Sequence, residues 1–220
     1  MSVRLAIFDC DGTLLDSQAN IVAAMDACFS ENGLPPPAAN DTRRVVGLSL
    51  PQAMATLLPD ADASDHDRLA DHYKICFRRM RAESRLAHEP LYPGLIEALD
   101  RLQAAGWLFA VATGKSDKGL EHALDYHGMR HRFVSLQTAD RHPSKPHPSM
   151  IHQALSDTGA DILNTVMIGD TIFDVAMGVN AGVRALGVSW GYHAPEELLG
   201  EGAEMVADDY SALADYILSQ

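Results

Sequence analysis

The sequence predicts an α/β fold, a doubly wound and mostly parallel sheet with an α-helical subdomain inserted early in the chain. Beyond residue 92, short apolar runs alternate with helical patterns, which is typical of parallel strands connected by helices. Between residues 17 and 89, helical spacing recurs and no convincing strand is found. With 220 residues, the chain is long enough for one core domain that carries such an insertion.

The first predicted element is a buried strand formed by the apolar run at residues 3–8. Asp9 and Asp11 follow at its carboxyl end, before the turn residue Gly12. Because side chains alternate along an extended chain, the two carboxylates point to the same side and Cys10 points away into the core. Two carboxylates this close need a cation or a proton between them. The pair therefore predicts a divalent-metal site or an acid/base pair.

The inserted segment is predicted to contain three helical stretches. Apolar residues at helical spacing cover residues 21–29, a run of three prolines follows, and further helical patterns cover residues 50–58 and 69–81. The resulting domain prediction is a core made of residues 1–16 and 90–220 and a helical cap made of residues 17–89.

The second half of the chain is predicted to alternate between helices and strands. The predicted elements are helix 94–105, strand 107–112, helix 116–127, strand 133–136, helix 148–158, strand 164–169, helix 171–181 and strand 183–189. Gly106, Gly128 and Gly182 follow three of the helices, as expected of left-handed caps. Because a parallel sheet binds ligands beyond the carboxyl ends of its strands, the residues that follow the strands are the functional candidates.

Two loops offer groups that bind an anion. Thr113 and Gly114 follow a predicted strand, so a hydroxyl and free backbone amides meet the start of the next helix, which is a suitable cradle for an anion. Lys145 lies in a loop that three prolines stiffen, which suits a fixed positive charge. A third strand ends in Asp170, and Asp174 follows four residues later at the start of a helix.

These motifs, in this order, resemble those of the haloacid dehalogenase superfamily of aspartate-nucleophile phosphohydrolases. The matching residues are Asp9, Asp11, Gly12 and Thr13 in the first motif, Thr113 and Gly114 in the second, Lys145 in the third, and Asp170 and Asp174 in the fourth. The layout is similar to the phosphoglycolate phosphatase-like branch, which has a helical cap after the first strand. The resemblance implies a Rossmann-like core and a phosphatase that hydrolyses a small soluble phosphomonoester.

The resemblance also implies roles for single residues. Asp9 would attack phosphorus and form an aspartyl-phosphate, and Asp11 would serve as general acid and then as general base. Thr113, the Gly114 amide and Lys145 would hold the phosphate oxygens.

The implied cofactor is Mg²⁺. Its ligands would be Asp9, the backbone carbonyl of Asp11, Asp170 and waters, while Asp174 would bind directly or through a metal-bound water. In the cap, Arg44 has two possible roles, either binding a second anionic group of the substrate or lying at the surface as an ordinary arginine.

Two other residues have plain structural expectations. Lys115 is expected to be a solvated residue at a helix start, with a phosphate ligand as the less favoured alternative. The match of this loop to the end of a P-loop fails because Phe109 stands where the first glycine is needed. Trp190 follows the last predicted strand and is expected to pack in the core.

Composition excludes some classes of partner. The net charge of −13 argues against a general nucleic-acid binder or a protein bound to an anionic membrane, since both need a basic surface. The expected partner is a small phosphorylated metabolite. Three cysteines without CxxC spacing and no signal sequence predict a cytoplasmic protein, as monomer or homodimer.

Two alternatives to the phosphatase remain. A phosphomutase like β-phosphoglucomutase is less favoured because Thr13 stands where that branch usually has valine. A dehalogenase would not carry Asp11. A non-catalytic binding module on the same fold is possible in principle, but it would be expected to have lost Asp9, Lys145 or Asp170.

Overall fold

The computed structural model describes residues 2–220 and confirms the predicted α/β class. Its strands are β1 (Arg4–Phe8), β2 (Trp107–Thr113), β3 (Phe133–Thr138), β4 (Thr165–Gly169), β5 (Arg184–Val188) and β6 (Val206–Ala207). They form one sheet in the order β3-β2-β1-β4-β5-β6, and every neighbouring pair is parallel. β1, whose carboxyl end precedes Asp9, therefore lies in the interior of the sheet.

Ten α-helices lie between and around the strands in the described part of the chain. They are α1 (Gln18–Glu31), α2 (Ala39–Arg44), α3 (Leu50–Leu57), α4 (Ala63–Ala82), α5 (Leu95–Ala104), α6 (Asp117–Tyr126), α7 (Ser149–Thr158), α8 (Ile172–Ala181), α9 (Pro195–Glu201) and α10 (Tyr210–Leu218). None of them combines the length and the hydropathy that a membrane crossing requires.

The sheet is buried on both faces. Along β1, Ala6 and Phe8 face one apolar core, which α5, α6 and α10 cover, while Leu5 and Ile7 face a second core, which α7 and α8 cover. A strand covered on both faces reads as a continuous apolar run, which is why residues 3–8 predict it so clearly.

Helices α1, α3 and α4 pack around a separate apolar core. Its buried side chains include Met25, Phe29, Met54, Leu69 and Cys76. Within residues 2–220, no strand of the sheet lies between β1 and β2, so the chain between them is helical or irregular. The division into a core and a cap of residues 17–89 stays a prediction, and these helices are the segment to which it refers.

The predicted elements after residue 92 agree with the observed ones to within two residues at each end. The structure adds α2 and, beyond residue 189, α9, β6 and α10, none of which the sequence pattern predicts. β6 has two residues and α2 has six, which is too short for a periodic pattern to emerge.

Leucine-to-alanine substitution tests the assignment of the core. Leu99 of α5 is fully buried, whereas Leu163, before β4, is 89% exposed. Leu99→Ala should lower the free energy of unfolding by about 2–5 kcal/mol, because it leaves a cavity. Leu163→Ala makes the same chemical change and should stay within about 0.5 kcal/mol of the wild type. Urea denaturation of both variants measures the difference, and equal losses would contradict the core assignment.

Candidate active site

The predicted site residues meet at the carboxyl ends of the central strands. Asp9 and Asp11 follow β1, Thr113 ends β2 and Asp170 follows β4, and these three strands are neighbours in the sheet. A cavity of about 500 Å³ lies between these strand ends and helices α1, α3 and α4. Asp9, Asp11 and Thr113 line the cavity, as does Gly114.

Asp9 is held by two donors on one of its carboxylate oxygens. The Lys145 ammonium lies 2.9 Å from Oδ1, and the Cys10 backbone amide donates to the same oxygen at 2.6 Å. The other oxygen, Oδ2, is buried and has no hydrogen-bond partner in the described chain. Cys10 itself lies in the apolar core, as its position between the two aspartates predicts.

Lys145 lies fully buried between two carboxylates. Its Nζ is 2.9 Å from Asp9 Oδ1 and 2.5 Å from Asp174 Oδ1. Burial acts to lower the pKa of Lys145, but the two carboxylates outweigh it and raise that pKa above its usual range. Lys145 is therefore a permanently charged residue at the base of the site.

Asp174 is fixed by the start of α8 as well as by Lys145. Thr171 caps the helix, its backbone amide and hydroxyl donate to Asp174 Oδ2 at 3.1 and 2.7 Å, and the Asp174 amide donates back to the hydroxyl. This reciprocal capping box satisfies free donors of the first turn and fixes the carboxylate. Both oxygens of Asp174 thus have partners.

Asp170 is held from two distant parts of the chain. The Thr13 hydroxyl donates to its Oδ1 at 2.7 Å, and the Tyr192 amide donates to its Oδ2 at 2.9 Å. Oxygen atoms of Asp9, Asp170 and Asp174 lie within 4.8 Å of one another. The structure therefore brings together three carboxylates that are separated in the sequence: Asp9 after β1, Asp170 after β4 and Asp174 at the start of α8.

The cluster carries excess negative charge. Burial raises the pKa of Asp9 to about 7; Lys145 opposes this rise, whereas Asp174 and Asp11 add to it. Burial, together with the neighbouring carboxylates of Asp174 and Asp9, also raises the pKa of Asp170 well above its usual value. Such shifts mean that this group of carboxylates is unfavourable in its fully ionised form unless a further cation is close.

Asp11 pairs with Lys115, so the expectation that Lys115 is solvated is wrong. Lys115 is not a solvated residue, since its side chain is 13% exposed and its Nζ lies 2.7 Å from Asp11 Oδ1. The Ser17 hydroxyl donates to the same oxygen. Burial acts to lower the pKa of Lys115, but Asp11 raises it above its usual range. The sequence signal that locates Lys115 is its position directly after Thr113 and Gly114.

The loop before α3 approaches the end of β2 closely at Gly114. A Cβ at Gly114 would lie 2.5 Å from the carbonyl oxygen of Leu48 and 2.9 Å from that of Gly47. The Ser49 amide also donates to the Ser144 hydroxyl at 2.8 Å, next to Lys145. The loop before α3 therefore lies directly on the two loops that carry the predicted phosphate-binding groups.

The structure does not place Arg44 in the cavity. Its guanidinium donates to both carboxylate oxygens of Glu197, at 2.8 and 2.7 Å, and its side chain is 41% exposed. This bidentate pair links α2 to α9. In this arrangement Arg44 has no contact with the cavity, so the geometry gives no support to its role as a selectivity residue.

Sequence reasoning misses the chain segment that surrounds Asp170. Gly191 lies so close that a Cβ there would overlap the Asp170 side chain, and Gly12, at a φ of +80°, faces Tyr192 and Asp170 equally closely. Trp190 packs on Tyr210, as expected of a core residue. The glycine after the last predicted strand is the signal that could have located this support.

Glycine-to-alanine substitution tests the packing around Asp170. Gly191→Ala should destabilise the protein by about 1–3 kcal/mol, because the new methyl group displaces Asp170. A methyl group at Gly200, within α9, would meet no other atom within 4 Å. Gly200→Ala should therefore be neutral or raise stability by up to about 1 kcal/mol, since alanine favours the helix. Chemical denaturation compares the two variants, and an unaltered Gly191→Ala protein would refute the tight packing.

Comparison with known proteins identifies the family. The model of the haloacid dehalogenase-like hydrolase family matches residues 6–188. A probable phosphatase, IndB, from Dickeya dadantii is 34% identical over 94% of this chain and 90% of its own length. A phosphoglycolate phosphatase from Agrobacterium fabrum is 33% identical over 95% of this chain and 90% of its own length.

Solved structures agree with the fold. A haloacid dehalogenase-like family hydrolase from Streptococcus pneumoniae superposes with a TM-score of 0.83 at 24% identity, covering 97% of this chain and 98% of its own. A hydrolase from Pseudomonas syringae gives a TM-score of 0.82 at 23% identity, covering 98% of both chains. The family model, the two relatives above 30% identity and the common fold lead to one conclusion: the chain belongs to the haloacid dehalogenase-like hydrolase family.

Proposed function

We propose that the protein is a Mg²⁺-dependent phosphatase that hydrolyses a small phosphomonoester through an aspartyl-phosphate intermediate. The observation that carries the proposal is the Asp9 carboxylate, which lines the cavity, is oriented by Lys145 on one oxygen and leaves the other oxygen without a donor in the described chain. The relatives named as phosphatases support the same reaction type.

The residues of the site fit a divalent cation. Asp9, Asp11, Asp170 and Asp174 face two ammonium groups, so the cluster has two negative charges in excess when every carboxylate is ionised. Buried oxygen ligands, including the partnerless Asp9 Oδ2, are those that Mg²⁺ prefers. When bound, the ion would neutralise charge on Asp9 and on the phosphoryl oxygens.

The ligands we propose are Asp9, Asp170 and the backbone carbonyl of Asp11. Asp174 would bind the ion directly or through a metal-bound water. It already has a cation, Lys145, on Oδ1, whereas Asp170 accepts only from the neutral donors of Thr13 and Tyr192, so the main role we propose for Asp174 is to hold Lys145 in place.

The first chemical step is assigned to Asp9. Its carboxylate oxygen forms a bond to phosphorus while the bond from phosphorus to the ester oxygen breaks, and the leaving alcohol takes a proton from Asp11. Lys145 orients the Asp9 carboxylate and offers positive charge next to the phosphoryl group. Thr113 and Gly114, at the end of β2, would hold the remaining phosphoryl oxygens.

The second step returns the enzyme to its starting state. A water molecule attacks phosphorus, gives a proton to Asp11 and releases Asp9 as a carboxylate. Asp11 suits this task because Lys115 and Ser17 hold its carboxyl group at the wall of the same cavity as Asp9. A phosphomutase would use the same first step, and no feature of the cavity favours it.

The partner and location of the protein follow from this proposal. We propose a phosphorylated metabolite as the substrate, no nucleic-acid or membrane partner, and a cytoplasmic enzyme that is a monomer or a homodimer. The three cysteines are free thiols, which is compatible with a reducing compartment.

Hydrolysis of p-nitrophenyl phosphate tests the proposed function. The wild type should hydrolyse it with Mg²⁺, lose the activity in excess EDTA and regain it when Mg²⁺ is restored. Asp9→Asn should abolish turnover and phospho-enzyme formation because the nucleophilic charge is gone. Asp16→Asn makes the same chemical change at an exposed residue and should retain activity. Full turnover in EDTA, or in Asp9→Asn, would refute the mechanism.

A comparison of two esters tests the role of Asp11. Asp11→Asn removes the proton donor, which should slow the first step about 10²- to 10⁴-fold for an alkyl phosphate. The loss should be much smaller for p-nitrophenyl phosphate, because p-nitrophenolate leaves without a proton. Rapid-quench measurement of phospho-enzyme on both esters provides the readout. Identical losses would mean that Asp11 has a structural or metal-directed role instead.

A further inference from the structure

We propose that the cavity contains a second anion-binding subsite, formed by Arg78, Arg81 and Lys118, that binds a carboxylate or phosphate at the far end of the leaving group. The proposal rests on the proposed phosphatase function and narrows its substrate class. The substrate would be an extended phosphomonoester with two separated anionic ends, longer than phosphoglycolate.

The charges of the cavity support this subsite. Most lysines and arginines of this acidic protein pair with a carboxylate. In residues 2–220, Arg78, Arg81 and Lys118 have no such partner within 4 Å, and all three line the cavity. Arg78 Nε donates to the backbone carbonyl of Lys74, which leaves its charge without a counter-ion. What distinguishes these three cations is their common position on one cavity, where they are available to an anionic ligand.

Two acidic residues also line this part of the cavity, and their contacts are accounted for. Asp117 lies 3.0 Å from Arg141 and accepts a hydrogen bond from Thr138. Asp140 accepts a hydrogen bond from the Asp117 amide at 2.9 Å. Neither acid forms an ion pair with the three cations of the subsite, which leaves those cations free for a ligand.

The geometry of α4 separates the subsite from the reacting end. Tyr73, Phe77 and Arg81 follow one another at four-residue spacing, so they share a face of α4, and all line the cavity. Tyr73 is 8% exposed, whereas Arg81 is partly exposed and Arg78 is exposed, so this part of α4 runs from the buried interior of the cavity to its mouth. At 1.5 Å per residue, Arg78 lies about 7.5 Å and Arg81 about 12 Å further along the helix axis.

This separation favours longer substrates at the subsite. The carboxylate of phosphoglycolate lies within roughly 4 Å of phosphorus, which is shorter than the rise of about 7.5–12 Å along α4 from Tyr73 to the two arginines. A cavity of about 500 Å³ is also within the range that encloses a much larger ligand.

The middle of the cavity suits an apolar or ring-shaped body. Phe77 lies between Tyr73 and Arg81 on α4, and the Arg81 guanidinium stacks over the Phe77 ring at 5.1 Å. The lining also includes Met25 of α1 and Leu50 of α3. A ligand that spans this surface would bury its body on apolar side chains and place its second anion next to Arg81.

Binding of non-hydrolysable phosphonates to the wild-type protein with Mg²⁺ tests the subsite. Isothermal titration calorimetry compares phosphonooctanoate, which has a terminal carboxylate, with octylphosphonate, which has the same chain without it. We expect phosphonooctanoate to bind at least about tenfold more tightly, since hydrogen bonds to charged groups contribute that much. Octane bisphosphonate in the same assay decides between carboxylate and phosphate as the preferred second anion.

Variants on α4 test whether Arg78 and Arg81 cause the tighter binding of phosphonooctanoate. In Arg78→Gln and Arg81→Gln, singly and together, the preference for phosphonooctanoate over octylphosphonate should fall towards unity. Arg68→Gln is the matched control, because Arg68 is on the same helix but pairs with Asp65 outside the cavity lining. It should keep the full preference. Circular dichroism confirms that each variant is folded, and these exposed or partly exposed positions tolerate glutamine.

The outcomes separate the subsite from the phosphatase proposal. Equal affinity for phosphonooctanoate and octylphosphonate, or a preference that survives in the Arg78→Gln, Arg81→Gln double variant, would overturn the subsite, even if p-nitrophenyl phosphate is hydrolysed. Absence of Mg²⁺-dependent hydrolysis of p-nitrophenyl phosphate would overturn the phosphatase proposal. A preference that the two arginines carry would still establish the subsite in that case.

Discussion

The buried ammonium of Lys145 is the interaction on which the rest of the site depends. It lies between Asp9 and Asp174, and all three side chains are almost completely removed from solvent. Loss of one member of such a buried group costs about 3–5 kcal/mol, because the remaining charges are left without a partner. Lys145 therefore links the carboxyl end of β1 to the start of α8 and orients the Asp9 carboxylate.

The immediate surroundings of these charges are built from backbone and small residues. Thr171 holds Asp174 through a helix cap, and the Tyr192 amide holds Asp170 from beyond the last core strand. Gly12 and Gly191 permit this close packing, since a side chain at either position would overlap Asp170. The acids thus keep their positions through contacts that do not neutralise them, which preserves the excess negative charge that a divalent cation can balance.

The helices between β1 and β2 contact the rest of the chain beside the site. The backbone of Gly47 and Leu48 lies directly against Gly114, and the Arg44–Glu197 pair joins α2 to α9. An acidic protein that binds an anionic substrate needs local positive charge, and the cavity supplies it from both sides. Distant surface carboxylates are screened over about 8 Å at cellular ionic strength, so the nearby cations dominate.

The sequence by itself determined the fold class, the strands that end at the site, and Asp9, Asp11, Lys145 and Asp170 as candidates. It could do so because a strand buried on both faces is an unbroken apolar run, and because carboxylates directly after such runs stand out. Only the tertiary structure decided which residues from separate elements contact one another. Lys115 pairs with Asp11 instead of lying in solvent, Arg44 pairs with Glu197 outside the cavity lining, and the segment after β5 packs around Asp170. Tyr192 and Asp170 are 22 residues apart, and the other two pairs are more than a hundred residues apart. Such contacts leave no periodic signal, because the packing of separate elements determines them.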